Sequence, residues 1–337
     1  MLVLVSTALT LLLVEAGLRA FGIGYGNAPL EASRYLHHVH PRNYQFLMHN
    51  PSGEYGGFLV RFDDKGYRVP LGDSNVPRPG ARRIAFMGDS FTEGLQMSWA
   101  ETYVGLIEQY DRSVAVRNFG VASYSPVLYC AQLKGDVLEF KPTDVVLQIY
   151  SNDFKDDETY LNKADSQNVH ELTRVDGGSS SLAIYLLRYS YVVRLLRKAQ
   201  LQTKYLIESR NQSSDKAGRG EAAPTPIGGI TRRALEEIQR ICREHGISLY
   251  ILMIPSKELV RNGSCCDRDF NYLELQGLSS QLGIEFVDVA PLFAAAARTD
   301  RLFFPVDDHL TAEGARVMAS AISSKLGLGA VPAPVGN

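Results

Sequence analysis

Gly88-Asp89-Ser90 closes a short apolar run that begins at Arg83. Three further polar clusters close or follow apolar runs downstream: Asn118-Phe119-Gly120, Ser151-Asn152-Asp153 and Asp307-Asp308-His309. A serine hydroxyl is a poor nucleophile until a neighbouring base takes its proton, and a histidine within hydrogen-bond reach is the usual base. Ser90 and His309 are of those types. The imidazole in turn needs a carboxylate on its other nitrogen, to hold the tautomer and to stabilise the imidazolium. Asp307 and Asp308 both qualify. Side chains two apart converge on one side of an extended turn more easily than adjacent ones, which favours Asp307. Taken singly, each residue also has a plainer use. Gly88 and Gly120 suit tight turns, Asp89 suits a helix cap, Asn152 suits a loop brace, and either aspartate suits the start of a last helix marked by Thr311 and Glu313.

The elements that must position these clusters follow from periodicity. Arg83–Met87, Val114–Val121, Asp144–Tyr150, Ile247–Ile254 and Ile284–Val289 read as strands, and continuous apolar runs of this kind belong to strands buried on both faces. Between them, Trp99–Tyr110, Pro126–Phe140, Thr231–His245, Tyr272–Leu282 and Thr311–Leu326 space apolar residues at helical intervals. Five strands alternating with helices predict a parallel sheet covered on both sides. In such sheets ligands bind beyond the carboxyl ends of the strands, where the polar clusters fall.

Gly88-Asp89-Ser90, Gly120, Asn152 and an Asp-His pair before the last helix, in that order, resemble the four blocks of the SGNH/GDSL hydrolase family over roughly residues 83–328. Gly66-Tyr67-Arg68 and the 83–94 run are similar to a bacterial branch with an amino-terminal membrane anchor. The resemblance implies a flavodoxin-like three-layer α/β/α sandwich around a five-stranded parallel sheet. It also implies hydrolysis of esters, often acyl groups on carbohydrates or lipids, without a cofactor or metal. It assigns the oxyanion donors as the N–H groups of Ser90 and Gly120 and the side-chain amide of Asn152; such donors stabilise the charge that develops on an attacked carbonyl oxygen. Two departures stand out. Val306, not an aspartate, stands three residues before His309, and Ser151 occupies a place where glycine is common. An acyl-Ser90 intermediate resolved by water makes an esterase, and one resolved by a sugar hydroxyl makes an acyltransferase. A non-catalytic polysaccharide-binding protein on the same fold is the third reading.

The remainder of the chain divides by composition. Residues 1–24 are apolar apart from Glu15 and Arg19, and suit a membrane anchor, a leader or a buried helix. We expect an anchor with an extracytoplasmic catalytic domain, although Arg19, Arg34 and Arg42, taken literally by the positive-inside rule, place the body in the cytoplasm. Residues 25–82 read as an irregular arm with one strand–turn–strand around Asp63–Gly66. Its His37, His38 and His40 lack the acidic or cysteine neighbours of a metal site. Residues 154–226 form an insertion whose middle, Leu182–Ile207, alternates apolar and basic residues at helical spacing, as an ordinary surface helix, a membrane-surface helix or a lid would. Residues 211–229 read as a linker and 329–337 as a tail. Cys130 and Cys242 fall in helical patterns; Cys265 and Cys266 fall in a loop. A net charge of -2 offers no footprint for nucleic acid, and no Gly-x-Gly-x-x-Gly follows the first strand. The expected partners are an acylated small molecule or glycan, and a membrane through residues 1–24.

Overall fold

The computed structural model describes residues 1–22, 29–72, 80–212, 226–261, 269–296 and 301–332. The central sheet contains β1 (Arg83–Met87), β2 (Ala115–Asn118), β3 (Asp144–Ile149), β4 (Ser248–Met253) and β5 (Glu285–Phe286), all parallel, in the order β5-β4-β3-β1-β2. This is the flavodoxin-like order, which reverses direction between β1 and β3 and opens a crevice at their carboxyl ends. Ile84 to Met87 and most of β3 and β4 are fully buried, which explains why these segments are uninterrupted apolar runs. β5, at the edge, pairs over only two residues.

Helices flank the sheet as two groups. Helices 126–132, 153–161 and 229–244 pack together, and so do helices 103–110 and 312–326. Asp157 ties the first group. Its buried carboxylate accepts from Ser125 Oγ at 2.6 Å, the Val127 N–H at 2.9 Å and Thr231 Oγ1 at 2.5 Å. Asp157→Ala strands these donors in the interior and is expected to cost about 3 kcal/mol or more, measured by urea unfolding.

The arm is more regular than its composition suggests. Gln45–His49, Gly56–Phe62 and Arg68–Val69 form an antiparallel sheet closed over a small core of Tyr44, Phe46, Met48, Val60 and Phe62. The helical stretch expected from Leu182 to Ile207 is broken into Leu182–Tyr189 and Tyr191–Gln212. Ser190 Oγ accepts the Val193 N–H at 3.2 Å, and Glu15 accepts the N–H groups of Tyr191 and Val192 at 3.0 and 2.9 Å, so a new helix is capped there. The Pro126–Phe140 stretch likewise keeps α geometry only to Gln132 and continues as wider and tighter turns to Lys141. Most of the expected linker, at 213–225, lies outside the described residues, as do Cys265, Cys266 and the last five residues of the tail.

Leu2–Ala20 is one 19-residue helix with none of its side chains buried. That overturns a buried amino-terminal helix and leaves an anchor or a leader.

Candidate active site

β1 ends at Met87, and the chain turns through Gly88 and Asp89 into a one-turn helix, Ser90–Glu93. A Cβ at Gly88 would push into the side chains of Thr92 and Gln148, which bond each other at 2.8 Å, so glycine keeps that buried pair intact. The Asp89 carboxylate caps the helix by accepting the Phe91 N–H at 2.9 Å. Ser90 is therefore the first helical residue. Its N–H is one of the amides a helix leaves without an internal acceptor, and its side chain reaches partly into solvent.

The turn before the last helix supplies the partners. His309 Nε2 lies 2.7 Å from Ser90 Oγ, and His309 Nδ1 lies 2.5 Å from Asp307 Oδ1. Asp307 Oδ1 also accepts the His309 N–H at 2.9 Å, which folds the Asp-x-His turn back on itself. Asp308 points away. It is 70% exposed and pairs with Lys257 Nζ at 2.8 Å. The Phe91 ring packs against the imidazole, with centroids 4.7 Å apart.

Burial alone would lower the imidazole's pKa. The hydrogen bond and charge of Asp307, with the nearby charges of Asp89 and Glu93, outweigh it and hold His309 above its ordinary value. Burial would likewise raise Asp307, but its bonds to His309 keep it below the usual carboxylate range. Asp89 is almost wholly buried, and desolvation pushes its carboxyl up to about 6 despite the Phe91 N–H and the charge of His309.

Of the expected oxyanion donors, the Gly120 N–H has another acceptor. Its N–H donates to Asn118 Oδ1 at 2.8 Å inside a buried turn, and Asn118 Nδ2 donates to the Thr92 carbonyl at 2.7 Å. The Asn118–Gly120 cluster thus staples β2 to the helix that carries Ser90, and Gly120 is required because a Cβ there would strike the backbone of Thr92 and Glu93. Asn152 is exposed at the carboxyl end of β3, where its amide reaches Asp156 Oδ2 at 3.4 Å.

The arm contributes residues that periodicity could not reveal. Tyr55 OH donates to Asp307 Oδ2 at 2.8 Å, and the Glu54 carboxylate accepts the N–H groups of Val306 and Asp307 at 2.7 and 2.9 Å. On the nucleophile's side, buried Arg68 donates to the carbonyls of Glu93, Gly94 and Met97, and buried His40 pairs with Glu93 while stacking on Phe62. The arm therefore grips both the helix that carries Ser90 and the turn that carries Asp307. His37 and His38 join to each other through their Nδ1 atoms, 2.8 Å apart, and onward to Lys163 and the Ala122 carbonyl. Among the described residues no group of three or more metal-ligating side chains comes together.

A parallel sheet that delivers a serine from the end of its first strand to a histidine just before its last helix is the arrangement that the resemblance to SGNH/GDSL hydrolases leads us to expect. Residues 224–332 match the model of the family described as the SGNH hydrolase-like domain of the acetyltransferase AlgX. Several solved structures are similar at low identity. LAE5, an α/β hydrolase enzyme from the metagenome of Lake Arreo, is 15% identical with a TM-score of 0.43, over 76% of this chain and 98% of its own. The lipase/acylhydrolase from Enterococcus faecalis is 15% identical with a TM-score of 0.41, over 73% and 97%. A catalytic mutant of Axe2, an acetylxylan esterase from Geobacillus stearothermophilus, is 13% identical with a TM-score of 0.43, over 75% and 97%. No curated protein matches the chain.

Proposed function

We propose that this protein moves an acyl group through a covalent acyl-Ser90 intermediate. The observation that supports it is the unbroken hydrogen-bonded chain from Ser90 Oγ through His309 to Asp307. In the first half-reaction Ser90 Oγ attacks the ester carbonyl as His309 Nε2 takes its proton. The tetrahedral intermediate collapses by breaking the bond to the alcohol, which leaves with that proton. The Ser90 N–H and the Asn152 side-chain amide are the donors assigned to the oxyanion. In the second half-reaction His309 deprotonates the acceptor, which attacks the acyl carbon and frees Ser90. Water as acceptor makes the protein an esterase; a carbohydrate hydroxyl makes it an O-acetyltransferase. The match of residues 224–332 to the model described as that of the acetyltransferase AlgX supports transfer over hydrolysis.

A fluorophosphonate probe tests the nucleophile. Labelling is expected for the wild type and lost in Ser90→Ala and His309→Ala; a folded wild type that takes no label refutes the reading. Product analysis with an acetyl donor and a candidate glycan tests the acceptor. If added glycan never competes with water, transfer is refuted and hydrolysis stands.

The pH profile gives an independent check. The base must be neutral to accept a proton, and its pKa lies above the ordinary 6.5, so kcat/KM should rise with pH through a midpoint above 6.5. Asp89→Asn keeps a capping oxygen but removes a charge that favours the imidazolium, so the midpoint should move to lower pH. A midpoint unchanged by Asp89→Asn would refute that electrostatic link.

We read Leu2–Ala20 as an uncleaved anchor with the catalytic domain on the extracytoplasmic side. Glu15 supports retention, because its carboxylate takes Ser190 Oγ and the N–H groups of Tyr191 and Val192, a role a removed leader could not keep. Arg19 is engaged by Glu15 and the Tyr189 carbonyl, which weakens it as a free topogenic charge. Protease protection in sealed cells tests the orientation.

A further inference from the structure

We propose that the helical pair 182–189 and 191–212 lies in the membrane interface beside the anchor, as a second, in-plane attachment to an anionic lipid surface. The proposal rests on the anchor reading and is independent of the catalytic one.

The first observation is a set of exposed large apolar side chains on both helices. On the shorter helix Leu182, Tyr185, Leu186 and Tyr189 recur at helical spacing and are 72%, 59%, 41% and 48% exposed. On the longer helix Leu195, Leu196, Leu206 and Ile207 fall on one side, and all are exposed. A soluble monomer rarely leaves so many large apolar side chains uncovered. The rings of Tyr185 and Tyr189 lie against each other at an angle of 50°, with centroids 4.6 Å apart, and are the amphipathic rings favoured at headgroup depth.

The second observation is how the opposite face is held. Arg188 pairs with Glu31 at 2.9 Å, while Arg194, 5% exposed, donates to the carbonyls of Leu187 and Arg188 and lies over the Tyr44 ring. These contacts fix the inner side of the pair to the arm and fix which side turns outward. The pair is thereby tied to the arm and the anchor, and the arginines that would otherwise interrupt its apolar face are drawn inward.

The third observation places the outward face at lipid. Glu15 caps the second helix, and Arg19 donates to the Tyr189 carbonyl and sits 5.0 Å from the centre of the Tyr191 ring. A 19-residue helix is about 28 Å long, close to the hydrocarbon thickness of a bilayer. Glu15 stands five residues before its carboxyl end, about 8 Å along the axis. The junction at Ser190 is therefore held at the depth where in-plane amphipathic helices bury their apolar faces. With Arg188 and Arg194 turned to the arm, residues 182–208 still carry Arg197, Lys198 and Lys204 against Glu208, a surplus that favours an anionic surface.

The test uses the full chain in nanodiscs holding one copy each, made of phosphatidylcholine with and without phosphatidylglycerol. Leu186→Cys, Leu196→Cys and Lys204→Cys, each in a Cys265→Ser/Cys266→Ser background, carry an environment-sensitive fluorophore. Cys130 and Cys242 are buried and their thiols are pushed up to about 12, so they take no label. At positions 186 and 196 the emission is expected to shift to shorter wavelength, to be quenched by doxyl lipids and to be shielded from iodide, more so with phosphatidylglycerol. At 204, on the polar side, iodide should still quench. Iodide access at 186 and 196 equal to that at 204, with the chain still resistant to carbonate extraction, overturns the proposal while the anchor stands. Shielding without doxyl quenching means that protein covers the face and also overturns it. Release of the chain by carbonate overturns the anchor reading on which the proposal rests.

Discussion

Ser90→Ala is expected to lower kcat by about 10⁶-fold, and His309→Ala by about as much, on an acetyl ester such as p-nitrophenyl acetate. The size follows from the two side chains acting as one unit. Without Oγ there is nothing to acylate. Without the imidazole, the hydroxyl that lies 2.7 Å from Nε2 keeps its proton and is a poor nucleophile. What remains in either variant is oxyanion stabilisation and binding. For the same reason the double variant should be scarcely worse than either single one, whereas independent contributions would multiply. Neither substitution should unfold the protein, since Ser90 is partly exposed at a helix start and the turn around His309 is held by Glu54 and by backbone pairing between Phe304 and His309. Activity close to wild type in either variant refutes the nucleophile–base pair.

The parts of this molecule that were legible in the sequence are those whose physics is local or repeats along the chain. β1, β3 and β4 are buried on both faces, so Ile84–Met87 and its counterparts had to be apolar throughout. Ser90, His309 and Asp307 were legible because strand ends of a doubly wound sheet converge, so that order along the chain becomes proximity in space. Asp307 over Asp308 followed from side-chain direction in a short turn. Gly120 marks the limit of that reasoning. A glycine at a strand end fits an oxyanion donor and a tight packing contact equally well, and only the bond from its N–H to Asn118 separates them. Tyr55, Glu54, Arg68 and His40 were illegible for another reason. They meet their targets across the chain, from 25 residues for Arg68 and Glu93 to 252 for Tyr55 and Asp307, and no periodicity encodes such a pairing. The break at Ser190 was hidden in the same way, because part of its cap is Glu15, far away in the anchor.

The choice between the two aspartates yields the second large effect. Asp307→Asn should reduce kcat by about 10⁴-fold, whereas Asp308→Asn should stay near wild type. As a carboxylate, Asp307 accepts the Nδ1–H of His309, which leaves Nε2 free to accept the Ser90 proton. An asparagine keeps a single oxygen, and when that oxygen accepts the Tyr55 hydroxyl its NH2 takes the place facing His309. Its NH2, turned to the imidazole, selects the tautomer with a proton on Nε2, and that nitrogen can no longer act as a base. Asp308 has no comparable role: its carboxylate is 70% exposed and turned to Lys257, and Lys257 also has the Pro305 carbonyl as an acceptor. Tyr55→Phe tests the arm's share. It removes one charge-assisted bond to Asp307 and leaves the tautomer unchanged, so a loss of about tenfold is expected. That loss should fall on kcat rather than KM, because Tyr55 acts through Asp307 and not on the substrate. The ordering Asp307→Asn, then Tyr55→Phe, then Asp308→Asn is the signature of a carboxylate oriented by the arm; a larger loss in Asp308→Asn than in Asp307→Asn would reverse the assignment.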